Sequence, residues 1–210
     1  GVQAGDRVLD VGCGDGRHLR ELIAAEPSIR GVGIDVSPAL IEAGRRAADA
    51  HGVDVALVVA DARDPDLLSG LAGLDTSGAP SREVDGPPAD SISTRDGFDV
   101  AWSLHQGVIG TSPSIDPQIL DAMAAAVKPQ GIVAVTFFHA LFAARHLAGG
   151  DAFDTLGLVH HQRSEVYGHD EHRAIFDLWT SSYTAREASL LVTAAGLELV
   201  SIRGVQPGRY

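Results

Sequence analysis

Residues 8–17, VLDVGCGDGR, decide the fold of this chain. The apolar residues of this stretch lead into three glycines at every second position, Gly12, Gly14 and Gly16, and a helical pattern follows at once. Glycine adopts positive φ angles at little cost and lets a ligand lie against bare backbone. A strand, a glycine loop and a helix in this order are typical of the nucleotide-binding edge of a parallel sheet.

Short apolar runs alternate with helical patterns through the first part of the chain. This rhythm predicts an α/β fold of the Rossmann-like, doubly wound type. We expect a mostly parallel sheet of about seven strands with helices on both of its faces. The expected strands are residues 7–11, 31–35, 55–59, 98–102, 132–138, 174–180 and 197–202.

Capping residues mark two helices in the sequence. Ser37 can accept an N–H group of the first turn, and Pro38 suits the first helical position because its missing N–H is not needed there. Thr184 and Glu187 have the spacing of a capping box, and Gly196 stands where a helix C-terminal glycine belongs. Further helices are expected over residues 19–23, 119–127 and 140–147.

The chain is expected to form a single domain over residues 1–210, with two irregular segments. Residues 75–97 are rich in Gly, Pro, Ser and Asp and carry too little apolar surface to offset their ordering entropy. They predict a flexible surface insertion, with a lid over a site as the alternative. Residues 140–183 break the rhythm and contain aromatic side chains. We interpret them as a segment that covers an acceptor, or alternatively as a small auxiliary core.

Composition excludes several classes of protein. Lys and Arg number 16 against 28 Asp and Glu, so the formal net charge of −12 disfavours binding to nucleic acid or to an anionic membrane surface. The single cysteine forms no internal disulfide, and no apolar run approaches the ~20 residues of a membrane span. We expect a cytoplasmic protein and leave its oligomeric state open.

Polar residues follow four consecutive strands of the expected sheet. Asp10 precedes the glycines, and Asp35 ends the second strand about 20 residues later, where a carboxylate can accept both hydroxyls of a ribose. Asp61 follows the third strand and Ser103 the fourth. The alternate spacing of the glycines differs from the G-x-G-x-x-G of dinucleotide sites. These residues together predict a nucleoside site at one edge of the sheet.

On these residues the sequence resembles the class I S-adenosylmethionine-dependent methyltransferases, in particular small-molecule-type domains with a VLDVGCGxG loop. The resemblance covers about residues 4–138 and, more loosely, 183–200. It implies S-adenosyl-L-methionine as cofactor, S-adenosyl-L-homocysteine as product, and transfer of a methyl group to O or N of a small organic acceptor. The resemblance also implies which residues bind the cofactor. Those beneath its methionine part are Asp10, Gly12, Cys13, Gly14 and Gly16. Asp35 is implied at the ribose, Val36 beside the adenine, Asp61 and Ala62 at the adenine amino group, and Ser103 and Leu104 beside the sulfonium.

The sequence departs from the family pattern in two places. Gln130 stands where the family commonly has glycine, which we interpret as a turn variant. The helices that cover the cofactor in the family have no counterpart before the first strand of this sequence. The sequence opens at Gly1 with neither a methionine nor an export signal, so we expect a further stretch upstream of it. Within the loop, we expect the side chain of Cys13 to fill space rather than to react.

Two histidines are candidates for proton transfer from the acceptor. His105 follows the fourth expected strand and His139 the fifth, so both are expected to open toward the transferred methyl group. The alternative for each is a packing or hydrogen-bonding role. Gln106 could orient an acceptor. No metal is expected, because the remaining histidines have no ligand spacing that fits a compact site and are better interpreted as a solvated loop; they are His160, His161, His169 and His172.

Three functions fit the sequence. The first is the methyltransferase. The second is a module that binds S-adenosylmethionine without catalysis and regulates a partner protein. The third is a nicotinamide-dependent oxidoreductase, which is disfavoured by the glycine spacing and by a single lysine, Lys128, that belongs to no Tyr-x-x-x-Lys pair.

Overall fold

A computed structural model describes residues 1–71, 97–104, 108–167 and 173–204. The chain divides into two compact units, Gly1–Phe137 and Phe138–Tyr210. The single domain suggested by the sequence stays a prediction. The expected insertion at residues 75–97 lies outside the described residues except for Gly97. In the part of the chain that is described, no helix has the length and apolar character to cross a membrane.

The first unit contains a five-stranded, all-parallel sheet with the order β3-β2-β1-β4-β5. From β1 the chain adds β2 and β3 on one side of the sheet, and β4 and β5 on the other. The switch of direction falls between β1 and β4, and ligands of open α/β sheets bind in the crevice at such a point. The carboxyl ends of these two strands therefore frame the expected site. The strands are β1 Arg7–Val11, β2 Arg30–Asp35, β3 Ala56–Val59, β4 Phe98–Ser103 and β5 Val127–Val135.

Helices connect these strands and cover both sides of the sheet. The central strand β1 is buried on both faces, with Val8, Leu9 and Val11 fully enclosed. Burial of the strand on both faces explains why apolar residues occupy the consecutive positions Val8 and Leu9 instead of alternating with polar ones. The helices are α1 Arg17–Ala25, α2 Pro38–His51, α3 Pro65–Leu71 and α4 Asp116–Ala126.

The second unit contains a sheet with the order β6-β9-β8-β7. The long strands β8 and β9 pair antiparallel, β7 pairs antiparallel with β8, and β6 pairs parallel with β9. The elements are β6 Phe138–His139, α5 Ala140–Arg145, β7 Ala152–Asp154, β8 Val159–Tyr167, β9 Arg173–Tyr183 and α6 Ala185–Ala194.

The α/β class, the parallel sheet and the helix caps are confirmed. Strand β1 has the bounds that the sequence predicts. The Ser37 hydroxyl accepts the Leu40 N–H at 3.4 Å, and Thr184 and Glu187 form the expected capping box. Gly196 has a φ of +72°, as a C-terminal glycine requires.

Three sequence expectations about strands need correction. The parallel sheet has five described strands rather than about seven, because the later strands form the second sheet. The expected strand at 132–138 is two strands, β5 and β6, and β5 begins earlier because a bulge with Gln130 at φ +70° lets Val127 pair with Phe98. Residues 197–202 form no strand, since their alternating pattern finds no ladder partner among the described residues; Val200 is 92% exposed.

Candidate functional site

The glycine loop turns tightly at the carboxyl end of β1. Gly12, Gly14 and Gly16 have φ angles of +74°, +58° and +69°, a region that other residues adopt only under strain. The backbone N–H groups of Gly12 and Cys13 both donate to the Ile34 carbonyl oxygen at 2.9 Å. These bonds hold the loop against the neighbouring strand β2, and the positive φ angles are those that the glycine pattern predicts.

Cys13 fills space beneath this loop. A Cβ atom added to Gly33 would lie 2.9 Å from the Cys13 sulfur. The close contact between β2 and the loop therefore depends on a residue without a side chain at this position. Burial raises the pKa of the Cys13 thiol far above its ordinary value, and the neighbouring Asp10 and Asp35 raise it further. A thiol that stays protonated is a poor nucleophile, which supports the packing role expected for this residue.

Asp35 joins the glycine loop to the start of α2. One carboxylate oxygen accepts the Gly14 N–H at 2.9 Å, and the other accepts the Ser37 N–H at 2.8 Å. A carboxylate has about four lone-pair sites, so it can still accept hydroxyl groups while it holds these amides. The next residue, Val36, is 68% exposed, which leaves an apolar surface beside the carboxylate.

Asp61 follows β3 and forms an ion pair that the sequence analysis did not identify. Its carboxylate accepts Arg63 Nε at 2.9 Å and 3.0 Å, and Nη2 of the same guanidinium binds the second oxygen. These bonds and the Arg63 backbone N–H lower the pKa of Asp61 to about 2. Ala62, between the two, is buried. The spacing of two residues between acid and arginine was the signal available in the sequence.

Ser103 and Leu104 lie at the carboxyl end of β4, at the same edge of the sheet as the glycine loop. Ser103 is fully buried, and its hydroxyl makes no hydrogen bond within residues 1–71, 97–104, 108–167 and 173–204. Leu104 lines a pocket of about 250 Å³ that begins at the glycine loop. This pocket brings together the ends of β1 and β4 and the first turn of α1. Its lining is Asp10, Gly12, Cys13, Gly14, Asp15, Arg17, His18 and Leu104.

Asp15, Arg17 and His18 were not among the residues predicted for the site. The signal for them was their position, because the residues immediately after a glycine loop form the first turn of the helix at the site. Asp10 is only 3% exposed within the same pocket. The loop therefore carries a buried acid, and the helix that follows it carries basic side chains.

The two candidate catalytic histidines are found outside the described part of the first unit. His105 and Gln106 lie outside the described residues. His139 lies in β6 of the second unit, paired in register with Tyr183, and is exposed. The catalytic role of either histidine stays a prediction.

His160 and His161 are ordered on β8, so their interpretation as part of a solvated loop is wrong. His160 Nε2 lies 2.9 Å from Asp151 Oδ2, and His161 Nε2 lies 2.9 Å from Asp177 Oδ1. The His161 ring also stacks on Trp179 with 4.0 Å between centroids. Regular pairing of β8 with β9 fixes both imidazoles. Among the described residues no three His, Cys, Asp or Glu side chains come together as metal ligands do, while His169 and His172 lie outside those residues.

Comparison with known proteins identifies the family. A family model described as a methyltransferase domain matches residues 8–74, which span β1 to α3 and include the glycine loop, Asp35 and Asp61. The chain belongs to the class I S-adenosylmethionine-dependent methyltransferases. A release factor glutamine methyltransferase of Rhodospirillum rubrum is 32% identical over 159 residues, which are 74% of this chain and 44% of the relative. The chain therefore spans less than half the length of that relative.

Solved methyltransferase structures share the fold. The CcbJ methyltransferase of Streptomyces caelestis matches with a TM-score of 0.67 at 18% identity, over 94% of this chain and 75% of the other. CalS10 of Micromonospora echinaspora, an amino pentose methyltransferase described with S-adenosylmethionine bound, matches with a TM-score of 0.59 at 21% identity, over 98% and 80%. At these identities the likeness establishes the architecture alone.

The cofactor of this methyltransferase family is S-adenosyl-L-methionine, and the residues present fit it. The pocket at the glycine loop is bounded by glycine backbone, which permits close approach of a ligand. Asp35 is held by two amides with acceptor capacity remaining for ribose hydroxyls. The buried Ser103 hydroxyl has a hydrogen-bonding capacity that the described residues do not use.

Proposed function

We propose that this chain is an S-adenosylmethionine-dependent methyltransferase that transfers a methyl group to O or N of a small organic acceptor. The observation that carries the proposal is the arrangement of Asp35, which is oriented by the Gly14 and Ser37 amides beside the pocket at the glycine loop. Such a carboxylate is already fixed for a ribose, so little ordering entropy is lost when a nucleoside binds.

The bound cofactor supplies a methyl group on a sulfonium, which is activated for in-line displacement without a metal or a covalent nucleophile. The protein's part is then to align the acceptor and exclude water. In the proposal, the glycine loop supports the methionine part, Asp35 accepts the ribose hydroxyls, and Val36 covers one side of the adenine. Asp61 and Ala62 meet the adenine amino group, and Ser103 and Leu104 lie beside the sulfonium.

A hydroxyl acceptor needs a proton acceptor, whereas an amine need only arrive neutral. We assign proton transfer to His105, with His139 as the second candidate. The acceptor-covering role of residues 140–183 is supported by exposed aromatic side chains on β9, where Phe176 is 50% and Trp179 63% exposed. Exposed rings of this kind can cover an apolar ligand.

Two measurements test the proposal. S-adenosylmethionine and S-adenosylhomocysteine should raise the melting temperature, because they bind only the folded state, whereas NAD should leave it unchanged. Labelled methyl transfer to a panel of small amines and alcohols should then give product. Stabilisation by NAD alone would reject the nucleoside site. Tight S-adenosylmethionine binding without turnover, together with a stable partner protein, would favour a regulatory binding module.

The acceptor class is tested in the same assay. A glutamine-containing peptide is added to the panel of acceptors, because the related Rhodospirillum rubrum enzyme is named for glutamine methylation. Methylation of the peptide but of no small acceptor would keep the activity and overturn the small-molecule acceptor.

A further inference from the structure

Strands β8 and β9 extend beyond the rest of their sheet as a two-stranded ribbon. β7 pairs with residues 159–161 of β8, and β6 pairs with residues 182–183 of β9. Among the described residues, the remaining part of these two strands pairs only with itself. We call residues 162–167 of β8 and 173–178 of β9 the outer ribbon. A two-stranded ribbon is at best marginally stable in water unless a further layer packs on it.

One face of the outer ribbon carries its ion pairs. Asp177 Oδ1 lies 2.9 Å from His161 Nε2 and 3.7 Å from Arg163 Nε. Arg173 pairs with Glu165 further along the same face. Successive side chains of a strand point to opposite faces, and the register of β8 with β9 brings these five residues together on one of them. We call this side the charged face.

The opposite face of the outer ribbon has no formal charge on the side chains that the structure describes. We call it the neutral face. Phe176 is 50% exposed on it, and Leu178, two residues along the strand, is 42% exposed. Adjacent exposed apolar side chains with uncharged neighbours are typical of an interaction surface. The members of the neutral face are Gln162 and Ser164 of β8, and Ala174, Phe176 and Leu178 of β9.

The charge of the chain favours a second copy as the partner. The formal net charge is −12, so most of the surface repels another copy, a nucleic acid or an anionic membrane. Two neutral faces can meet without bringing like charges together. Each copy would then cover Phe176 and Leu178 of the other, as a two-fold contact between identical surfaces requires. Such a contact also supplies the layer that each outer ribbon lacks.

We propose that the neutral face is a homodimer interface, in which the outer ribbons of two copies pack face to face about a two-fold axis. The face is roughly 17 Å long, from six paired positions at about 3.4 Å each, and two strands wide. This is less than the ~800 Å² per partner of a stable interface, so we expect micromolar association in exchange with monomer. Trp179 lies on the charged face and stays available to an acceptor.

Sedimentation velocity of the full chain, from about 1 to about 200 µM, tests the proposal. The variant is Phe176→Lys and its matched control is Ile175→Lys. The two positions are adjacent, 50% and 48% exposed, and point to opposite faces. Each substitution adds the same charge to the chain, so a difference between them comes from the face and not from the net charge.

We expect the wild-type sedimentation coefficient to rise with concentration toward that of a dimer. Phe176→Lys should raise the dimer dissociation constant by about tenfold or more, because it places two ammonium groups in the contact. Ile175→Lys should change it by less than about twofold, as an exposed substitution outside the contact does. Leu178→Lys, on the neutral face, should act as Phe176→Lys does.

A wild-type protein that stays monomeric over this range would overturn the proposal. Equal weakening by Phe176→Lys and Ile175→Lys, or no weakening by either neutral-face variant, would also overturn it. Circular dichroism melts check that each variant folds. Phe176→Thr replaces Phe176→Lys if the lysine variant unfolds, because threonine suits a strand and still removes the apolar contact.

Discussion

The backbone N–H of Gly14 donates to Asp35 Oδ2 at 2.9 Å, across 21 positions of sequence. This bond ties the second glycine of the loop to the last residue of β2. The same carboxylate holds the Ser37 amide through its other oxygen. Asp35 therefore stabilises both the loop and the N-terminal end of α2, and in the proposed function it also accepts the ribose hydroxyls. Its substitution should affect both stability and binding.

Replacing Asp35 with alanine should weaken S-adenosylhomocysteine binding by about 1–3 kcal/mol, because ribose hydroxyls and two backbone amides lose their acceptor. Urea unfolding should show a loss of stability in the ligand-free protein as well. Asp121→Ala is the control, since Asp121 is exposed on α4. Unchanged affinity in the Asp35 variant would place the ribose elsewhere.

Gly44→Ala should destabilise the first unit by about 2–3 kcal/mol through overpacking. A Cβ atom at this position of α2 would lie 2.3 Å from the Asp15 carbonyl oxygen and 2.7 Å from a Leu57 methyl group. The methyl group can move, whereas the backbone of the glycine loop can move only by distorting the site. Chemical unfolding measures the loss. Gly149→Ala, where an added Cβ meets nothing within 4 Å, should be close to neutral.

Arg63→Ala should raise the pKa of Asp61 from about 2 toward the ordinary aspartate value, because the side-chain bonds from Arg63 are the largest cause of the shift. The native pKa is depressed, so the stability from this pair is present above about pH 4 and is lost as the pH falls through about 2. NMR titration of the Asp61 carboxyl checks the shift. A titration unchanged by the substitution would show that Arg63 does not hold Asp61 in solution.

Gln130→Gly should stabilise the protein by about 0.5–1 kcal/mol, because Gln130 has a φ of +70°, where glycine escapes the steric cost that other residues meet. Urea unfolding provides the measurement. Gln118→Gly is the matched control, and it should instead lose about 1 kcal/mol because Gln118 lies within α4. If both variants lose stability, the turn at Gln130 does not carry the strain that its backbone angle indicates.

The sequence by itself determined the local features of this protein. The run from β1 through the glycine loop to α1 was predictable because its signals lie within about ten residues of one another. The capping box of Thr184 and Glu187 was predictable for the same reason, since each side chain satisfies an amide three residues away. The order of strand ends then placed Asp35 and Asp61 at one edge.

Only the tertiary structure decided which segments pair. Residues 197–202 alternate like a strand but have no ladder partner among the described residues, whereas β8 lacks a clear sequence period and still forms a strand through nine paired positions with β9. The mixed lining of the pocket, which joins Arg17 and His18 to Leu104, also required the fold. Strand pairing and pocket lining depend on residues distant in the chain, so local propensity and periodicity do not specify them.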